Sequence, residues 1–148
     1  MKRAVAGTVV AAFWLSAGLG VEAQATKTYK TRLGVVPVAA ATPTVTGVGS
    51  VTATLAGTKL TIAGTFEGLA TPATVAQLLK SVKPGVRGTP LFDLTVSKGT
   101  SGTISGTFDL TPAQVQELAA SRYYVQLHSE KAPDGNLWGW LMAQENRR

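Results

Sequence analysis

The stretch YYVQLHSEKAPDGNLWGWL, residues 123–141, has the pattern of two β-strands joined by a turn. Successive side chains of a strand point to opposite faces of a sheet, and facing strands place their side chains on shared faces. We therefore expect the aliphatic side chains of both halves to point into a core: Val125, Leu127, Leu137 and Leu141. The sequence APDG at 132–135 predicts the connecting turn, because its proline and glycine suit a type I turn followed by a left-handed residue.

The reverse face of this hairpin carries polar and aromatic side chains, which we define as the candidate binding face: Tyr124, Gln126, His128, Trp138 and Trp140. So much aromatic area on the outside of a β-fold is unusual unless something covers it. The cover could be residues 71–90 of the same chain, a partner chain or a ligand. Cover by the chain's own loop is the favoured interpretation, and a recognition surface is the alternative.

His128 is the only histidine of the chain, and the chain contains no cysteine. A hydrolase triad needs a nucleophile and an orienting group beside the histidine, and no Gly-x-Ser-x-Gly sequence presents a serine. A closed transition-metal site built on His128 would need at least two converging carboxylates. A lone imidazole in a strand is more often a structural hydrogen-bonding group. We predict no catalytic residues, no metal ligands and no cofactor, and hence a protein that is not an enzyme.

Short alternating runs separated by turn residues continue through the rest of the chain, and they predict an all-β sandwich or barrel. The runs at 50–57 and 59–68 predict one antiparallel hairpin, and the run at 91–110 predicts a second one that turns at 98–102. The inward residues expected for these hairpins are Val51, Ala53, Leu55, Leu60, Ile62 and Phe66 in the first, and Phe92, Leu94, Val96, Ile104, Phe108 and Leu110 in the second.

One short helix is predicted after the second hairpin. Thr111 can cap it, Pro112 suits its first position, and Gln114 completes a Thr-x-x-Gln capping box. Residues 71–90 are expected to form a strand or a partly helical connection before the Pro-Gly break at 84–85. The early sequence at 34–49 contains two prolines and suits an edge strand followed by a loop.

The N-terminus has the three regions of a secretory signal: Lys2 and Arg3, then an apolar run, then small residues before Ala23. We expect cleavage after Ala23 or Ala25, so that residues 1–23 are a signal peptide and residues 24–148 form a single β-domain. This predicts an exported protein, periplasmic or extracellular, with no transmembrane anchor after cleavage.

Charge argues against one class of partner. The net charge is +6, and removal of residues 1–23 takes away Lys2, Arg3 and Glu22 and leaves +5. The remaining lysines and arginines are dispersed, with no dense run and no helix that could read a groove, so we expect no nucleic acid partner. An unknown protein or an anionic envelope polymer is compatible with this charge. The pattern indicates no particular oligomeric state.

The closing hairpin, together with YKTRLGVVPVAAATPTVTGVGSVTATL from residue 29 and GTISGTFDLTPAQVQELAAS from residue 102, resembles the CHRD (chordin-type) domain of animal chordins and many exported bacterial proteins. Position by position, the closing motif of that family matches Tyr124, Val125, Leu127, His128, Ser129, Pro133, Gly135, Leu137, Gly139 and Leu141. The resemblance implies an immunoglobulin-like, Greek-key antiparallel sandwich or barrel that is distantly similar to copper/zinc superoxide dismutase. Many members carry a His-x-His pair where this chain has AQLL at 76–79, so both histidines are missing.

Three functions follow as hypotheses. The preferred one is an exported non-catalytic module that binds a protein or polymer, or has a structural role, in the cell envelope or periplasm. The first alternative is a dismutase-like metal-binding protein or enzyme, which rests on the fold analogy and His128. The second alternative is recognition of a sugar or a small apolar ligand through the aromatic residues of the candidate binding face.

Overall fold

A computed structural model describes residues 25–37 and 44–145 of the chain. The predicted signal peptide and Pro43 lie outside the described residues. The described elements, in chain order, are β1 (Thr26–Val35), β2 (Val48–Ala56), β3 (Lys59–Glu67), β4 (Ala73–Lys80), β5 (Thr89–Val96), β6 (Gly102–Asp109), α1 (Pro112–Ala119), β7 (Tyr123–Ser129), β8 (Ala132–Trp140) and β9 (Met142–Ala143).

The strands form a closed antiparallel barrel. Around the ring the order is β1, β2, β3, β6, β5, β4, β7 and β8, and β8 returns to β1. Strands β4, β5 and β6 follow one another, β3 lies beside β6, and β7 lies beside β4, so each end of this meander makes a Greek key. The prediction of an all-β Greek-key fold with one short helix is confirmed, and of the two forms expected the chain adopts the barrel.

Strand β1 differs from the edge strand expected at 34–49. Gly34 and Val35 pair with Trp138 and Leu137 of β8, while the preceding part of β1 pairs with β2. Strand β1 as a whole therefore has both edges paired, but Gly34 and Val35, its only residues in the 34–49 segment, are paired with β8 alone. Pro37 had suggested an edge, but β1 ends at Val35, before the proline could remove a ladder hydrogen bond.

Both predicted hairpins are present. Strands β2 and β3 pair along their whole length, and their expected inward side chains are all buried. Strands β5 and β6 pair only at Thr95 with Ser105 and at Val96 with Ile104. Where these two strands diverge, the rings of Phe92 and Phe108 stack with centroids 4.4 Å apart and fill the gap. Residues 73–80, whose state was left open, are strand β4, which pairs with β5 and β7.

Helix α1 begins as the capping box predicts. The Thr111 hydroxyl accepts a hydrogen bond from the Gln114 amide at 3.2 Å, and the Gln114 side chain accepts one from the Thr111 amide at 2.9 Å. The helix carries the chain from β6 to β7, and Leu118 packs into the core. Within the described ranges no helix is long and apolar enough to cross a bilayer.

The closing hairpin turns at a different place from the one predicted. Ser129 pairs with Ala132, so the turn is at residues 130–131. Residues 133–136, which include most of the expected turn, lie in β8 as a wide bulge opposite His128 alone. The buried Asn136 holds this bulge, because its side chain accepts from Ser129 at 3.0 Å and donates to the Thr46 carbonyl at 2.7 Å. Side-chain anchoring of the backbone therefore outweighs the turn preference of the Pro-Asp-Gly sequence.

Gly135 is the residue of the bulge that tolerates substitution least. Its φ is +127°, and a Cβ there would lie 2.5 Å from Gln126 Nε2. We expect Gly135→Ala to lower the free energy of unfolding by about 1–3 kcal/mol, because alanine is strained at this φ. The matched control is Gly34→Ala, since nothing lies within 4 Å of a Cβ at Gly34. Urea unfolding checks both variants, and equal effects would contradict the assignment of strain to Gly135.

The contacts of the Glu117 carboxylate predict how the free energy of unfolding depends on pH. Its carboxylate forms an ion pair with Lys80 and accepts a hydrogen bond from the Tyr123 hydroxyl at 2.7 Å. The Lys80 contact, and next the Tyr123 bond, hold the pKa of Glu117 below its usual value. Burial, and then the same carboxylate, raise the pKa of Tyr123.

A group with a lowered folded-state pKa loses its stabilising contribution as pH falls, and one with a raised pKa loses it as pH rises. We therefore expect the free energy of unfolding to fall below about pH 4.3 and again above about pH 10, the usual pKa values of the two groups. Urea unfolding across pH should show a weaker acid-side loss in Glu117→Gln. The exposed Glu67 supplies the control Glu67→Gln, and an equal effect there would refute the role of Glu117.

Candidate functional site

The five residues of the candidate binding face lie on the outside of the barrel wall. Tyr124 pairs across the hairpin with Trp140, and Gln126 pairs with Trp138. Strand β4 places Leu79 beside Tyr124 on the other side and Val75 beside His128. The structure thus brings all five side chains onto adjoining strands, opposite the aliphatic stripe that enters the core.

Three of the five side chains form one aromatic cluster. The rings of Tyr124 and Trp140 stack with centroids 4.5 Å apart. Trp138 meets Trp140 edge-on at 4.7 Å and Tyr124 edge-on at 6.0 Å. Stacked and edge-on pairs of this kind stabilise a fold beyond the area they bury. The cluster gives the outer wall a small apolar core of its own, to which Leu79 contributes.

The β4–β5 connection, residues 81–88, binds two members of this cluster, and we call it the cover loop. The Trp140 indole donates to the Ser81 hydroxyl at 3.0 Å, and the Gly88 amide donates to the Tyr124 hydroxyl at 2.9 Å. Tyr124 is 1% exposed and Trp140 is 9% exposed, while Trp138 is only half-buried. Residues 71–90 of the chain therefore contribute the cover for Tyr124 and Trp140, and Trp138 is the more accessible aromatic.

The cover loop has a defined conformation. Lys83 to Val86 make a type II turn, with Pro84 second, Gly85 third at φ +85°, and a hydrogen bond from the Val86 amide to the Lys83 carbonyl. Ser81 exchanges two hydrogen bonds with Arg122 at the start of β7. At the other end the chain passes so close to β4 that a Cβ at Gly88 would overlap the Lys80 carbonyl.

Arg87 links the loop to the bulge of β8. Its guanidinium donates to the Asp134 carbonyl at 2.8 Å and lies 5.8 Å from the centre of the Trp138 ring. Gln126 donates to the same carbonyl at 3.1 Å. A cation over an indole face is attracted by the ring's negative face. Trp138, Arg87 and the bulge thus form one connected surface.

His128 lies at the far end of this surface. Its Nδ1 is 2.8 Å from the Pro133 carbonyl, which can only accept, so Nδ1 donates this hydrogen bond. Nε2 and Gln126 Oε1 are buried and find no hydrogen-bond partner among the described residues. A shallow cleft of 330 Å³ adjoins the ring, lined by Thr74, Val75, Gln77, His128 and Pro133.

Few groups around His128 could bind a metal ion or take part in catalysis. In the described part of the chain no group of three or more histidine, cysteine, aspartate or glutamate side chains could hold a metal ion. Gln77, in the stretch where the resemblance implied a His-x-His pair, donates to Asp93 at 2.9 Å. His128 therefore has a fixed hydrogen bond, and the lining of its cleft contains no carboxyl group and a single hydroxyl, that of Thr74.

Larger clefts lie beside this one and elsewhere: one of 500 Å³ shares Thr74, Val75 and Gln77 with the cleft at His128. Two shallow ones, of 510 and 440 Å³, lie on the outside of β1 and β2 and share Arg32 and Ser50. Their other lining residues mix threonines with valines, Gly49, Phe66, Lys30 and Glu67. They bring together none of the predicted site residues.

Sequence reasoning missed Ser81, Arg87 and Gly88, which hold the cover loop on the candidate binding face. Each contacts a residue that is distant in sequence, Trp140, Asp134 and Tyr124 respectively. The only local signal was the Pro-Gly pair at 84–85, which marks the turn but not where the turn docks.

The Tyr124 hydroxyl offers a test of loop anchoring. Tyr124→Phe removes only the acceptor of the Gly88 amide, and an amide left without a partner costs about 1–3 kcal/mol. We expect faster tryptic cleavage after Arg87, measured by mass spectrometry under native conditions. The control is Tyr29→Phe, since the Tyr29 hydroxyl makes no hydrogen bond with the described residues and the side chain is equally buried. Equal cleavage in both variants would show that the bond does not anchor the loop.

The family of the chain follows from comparison with known proteins. No curated protein and no solved structure gives a significant match to the chain. The model of the CHRD domain matches residues 29–141, which run from the middle of β1 to the end of the closing hairpin. The match contains the barrel, the cover loop and the whole candidate binding face. The chain therefore belongs to the CHRD domain family.

Proposed function

We propose that this CHRD domain is an exported, non-catalytic binding module of the cell envelope or periplasm, and that it binds through the cover loop and Trp138. One observation carries the proposal: the cover loop is fixed on the barrel by hydrogen bonds from Trp140, Gly88 and Arg87, yet residues 82–85 and Arg87 are exposed. A loop held rigidly by a scaffold loses little conformational freedom on binding.

Family membership supports the binding part of this proposal. CHRD domains are non-enzymatic and typically extracellular, and the match covers the barrel of this chain. The export part rests on the signal-like sequence at 1–23. The surroundings of His128 agree with a binding role, because the imidazole is held by a backbone carbonyl and lines a shallow cleft that has no charged side chain in its lining.

The alternatives differ in their support. The dismutase-like function has only the implied fold analogy, since His128 gathers no further metal ligands from the described residues. Sugar recognition keeps one favourable observation: Trp138 is half-buried, and the neighbouring position on β1 is Gly34, with open space where a side chain would be. An indole beside an open shelf can stack on a sugar ring. With Tyr124 and Trp140 buried, this alternative depends on Trp138 alone.

Capture from envelope extracts tests the proposed function. The immobilised protein should retain a component in a saturable manner, and a Trp138→Ala, Arg87→Ala double variant should retain at least about tenfold less, the loss of roughly 1.4 kcal/mol. A Lys59→Ala variant, which alters the opposite side of the barrel, is the control and should match the original protein. No saturable retention, or equal loss in the control, would refute binding through this surface.

A further inference from the structure

The exposed part of the cover loop combines two kinds of side chain. Val82 is 70% exposed, more than any other large exposed hydrophobic residue of the described chain. Pro84 is exposed beside it, and Val86 is half-buried at the end of the same tight turn. Val82 is therefore an apolar side chain that is held largely in water, close to an exposed proline.

Cations surround this apolar tip. Lys83 begins the turn and Arg87 follows it, and both are exposed. Lys80 and Arg122 flank the base of the loop, where they share the single carboxylate of Glu117. The side chains of Lys80 and Arg122 are still 38% and 36% exposed, against 19% for Glu117. The cover loop and its base therefore carry four cations, against the carboxylate of Glu117 and that of Asp134, whose carbonyl accepts from Arg87.

We propose that the cover loop docks on an anionic lipid surface, with Val82 entering the boundary between headgroups and acyl chains and Lys83, Arg87, Lys80 and Arg122 near the phosphates. This inference rests on the proposed binding function and names its partner. An acidic polysaccharide would satisfy the cations and leave Val82 in water, whereas a lipid interface satisfies both. Each basic residue near such a surface contributes to binding, and salt screens the contribution.

The fixed conformation of the loop suits this role. The type II turn brings Lys83 and Val86 close together, and the Ser81 and Gly88 contacts hold both ends of the loop on the aromatic cluster. Arg87 is also held, since it bonds to the Asp134 carbonyl. Apolar and basic groups are therefore presented together before any contact is made, which lowers the ordering cost of docking.

Sedimentation with lipid vesicles tests the inference, with the chain from residue 24 onward, which contains the whole described barrel. We expect co-sedimentation with vesicles of equal amounts of phosphatidylglycerol and phosphatidylcholine, little with phosphatidylcholine alone, and release by salt. Lys83→Gln should lower the partition coefficient about fivefold, the contribution of one basic residue. Val82→Ser should also lower it, and Lys59→Gln, which removes the same charge from β3, three strands away from β4 around the ring, should leave it unchanged.

Several outcomes would overturn the inference. Equal binding to neutral vesicles, no binding to anionic ones, or the same loss in Lys59→Gln as in Lys83→Gln would each do so. A loss in Lys83→Gln with none in Val82→Ser would refute the entry of Val82 into the lipid interface, because binding would then rest on charge alone. If vesicles fail while the envelope extract still yields a loop-dependent protein partner, the proposed binding function stands and only the lipid assignment falls.

Discussion

Strand β1 closes the barrel because it pairs with β2 along one edge and with β8 and β9 along the other. Closure needs close backbone approach, and Gly139 provides it: a Cβ at this position would lie 2.5 Å from the Arg32 carbonyl. Strand β9 continues the register of β8 along β1 after the interruption at Leu141. With both edges of β1 occupied, the barrel has no free edge at this point, and the two sides of the β7–β8 hairpin become a true inside and outside.

That division explains why the aromatic residues are outside. The inner side of the hairpin is filled by Tyr123 and aliphatic side chains, which pack closely against neighbours from β1 and β4. Outside, the indoles and Tyr124 have room to stack, and the polar atoms of Trp140 and Tyr124 find partners in the cover loop. The cluster is therefore best understood as the foundation of the loop. The cluster then has a structural role, and the surface left for binding a partner is the cover loop with Trp138.

Sequence patterning predicted what depends on local spacing. Alternation identified both hairpins and the faces of β7 and β8, and the Thr-x-x-Gln box located the start of α1 to the residue. Patterning failed where contacts between residues far apart in sequence determine the structure. The Pro-Asp-Gly sequence at 133–135 has turn preferences, but Asn136 ties this segment to Ser129 and Thr46 and makes it a bulge. The candidate binding face was predicted as a set of neighbours, and cover by residues 71–90 was the favoured interpretation, which holds for Tyr124 and Trp140. The anchors Ser81 and Gly88 were not predicted, because they are remote in sequence from the residues they contact.

The remaining question is why a barrel of this size places so many side chains behind one eight-residue loop. A loop that only connects β4 to β5 could be shorter and needs no anchors, since hairpin connections of a few residues are common. Here Trp140, Tyr124 and Asp134 each hold the loop at a separate point, and Gly88 has no space for a side chain. Those contacts keep Val82 and Lys83 exposed at the surface, so these two side chains add nothing to the packing of the barrel. The fold itself does not require Val82 and Lys83 to be held together at the surface. Binding of a partner that contacts both an apolar group and a cation would require it.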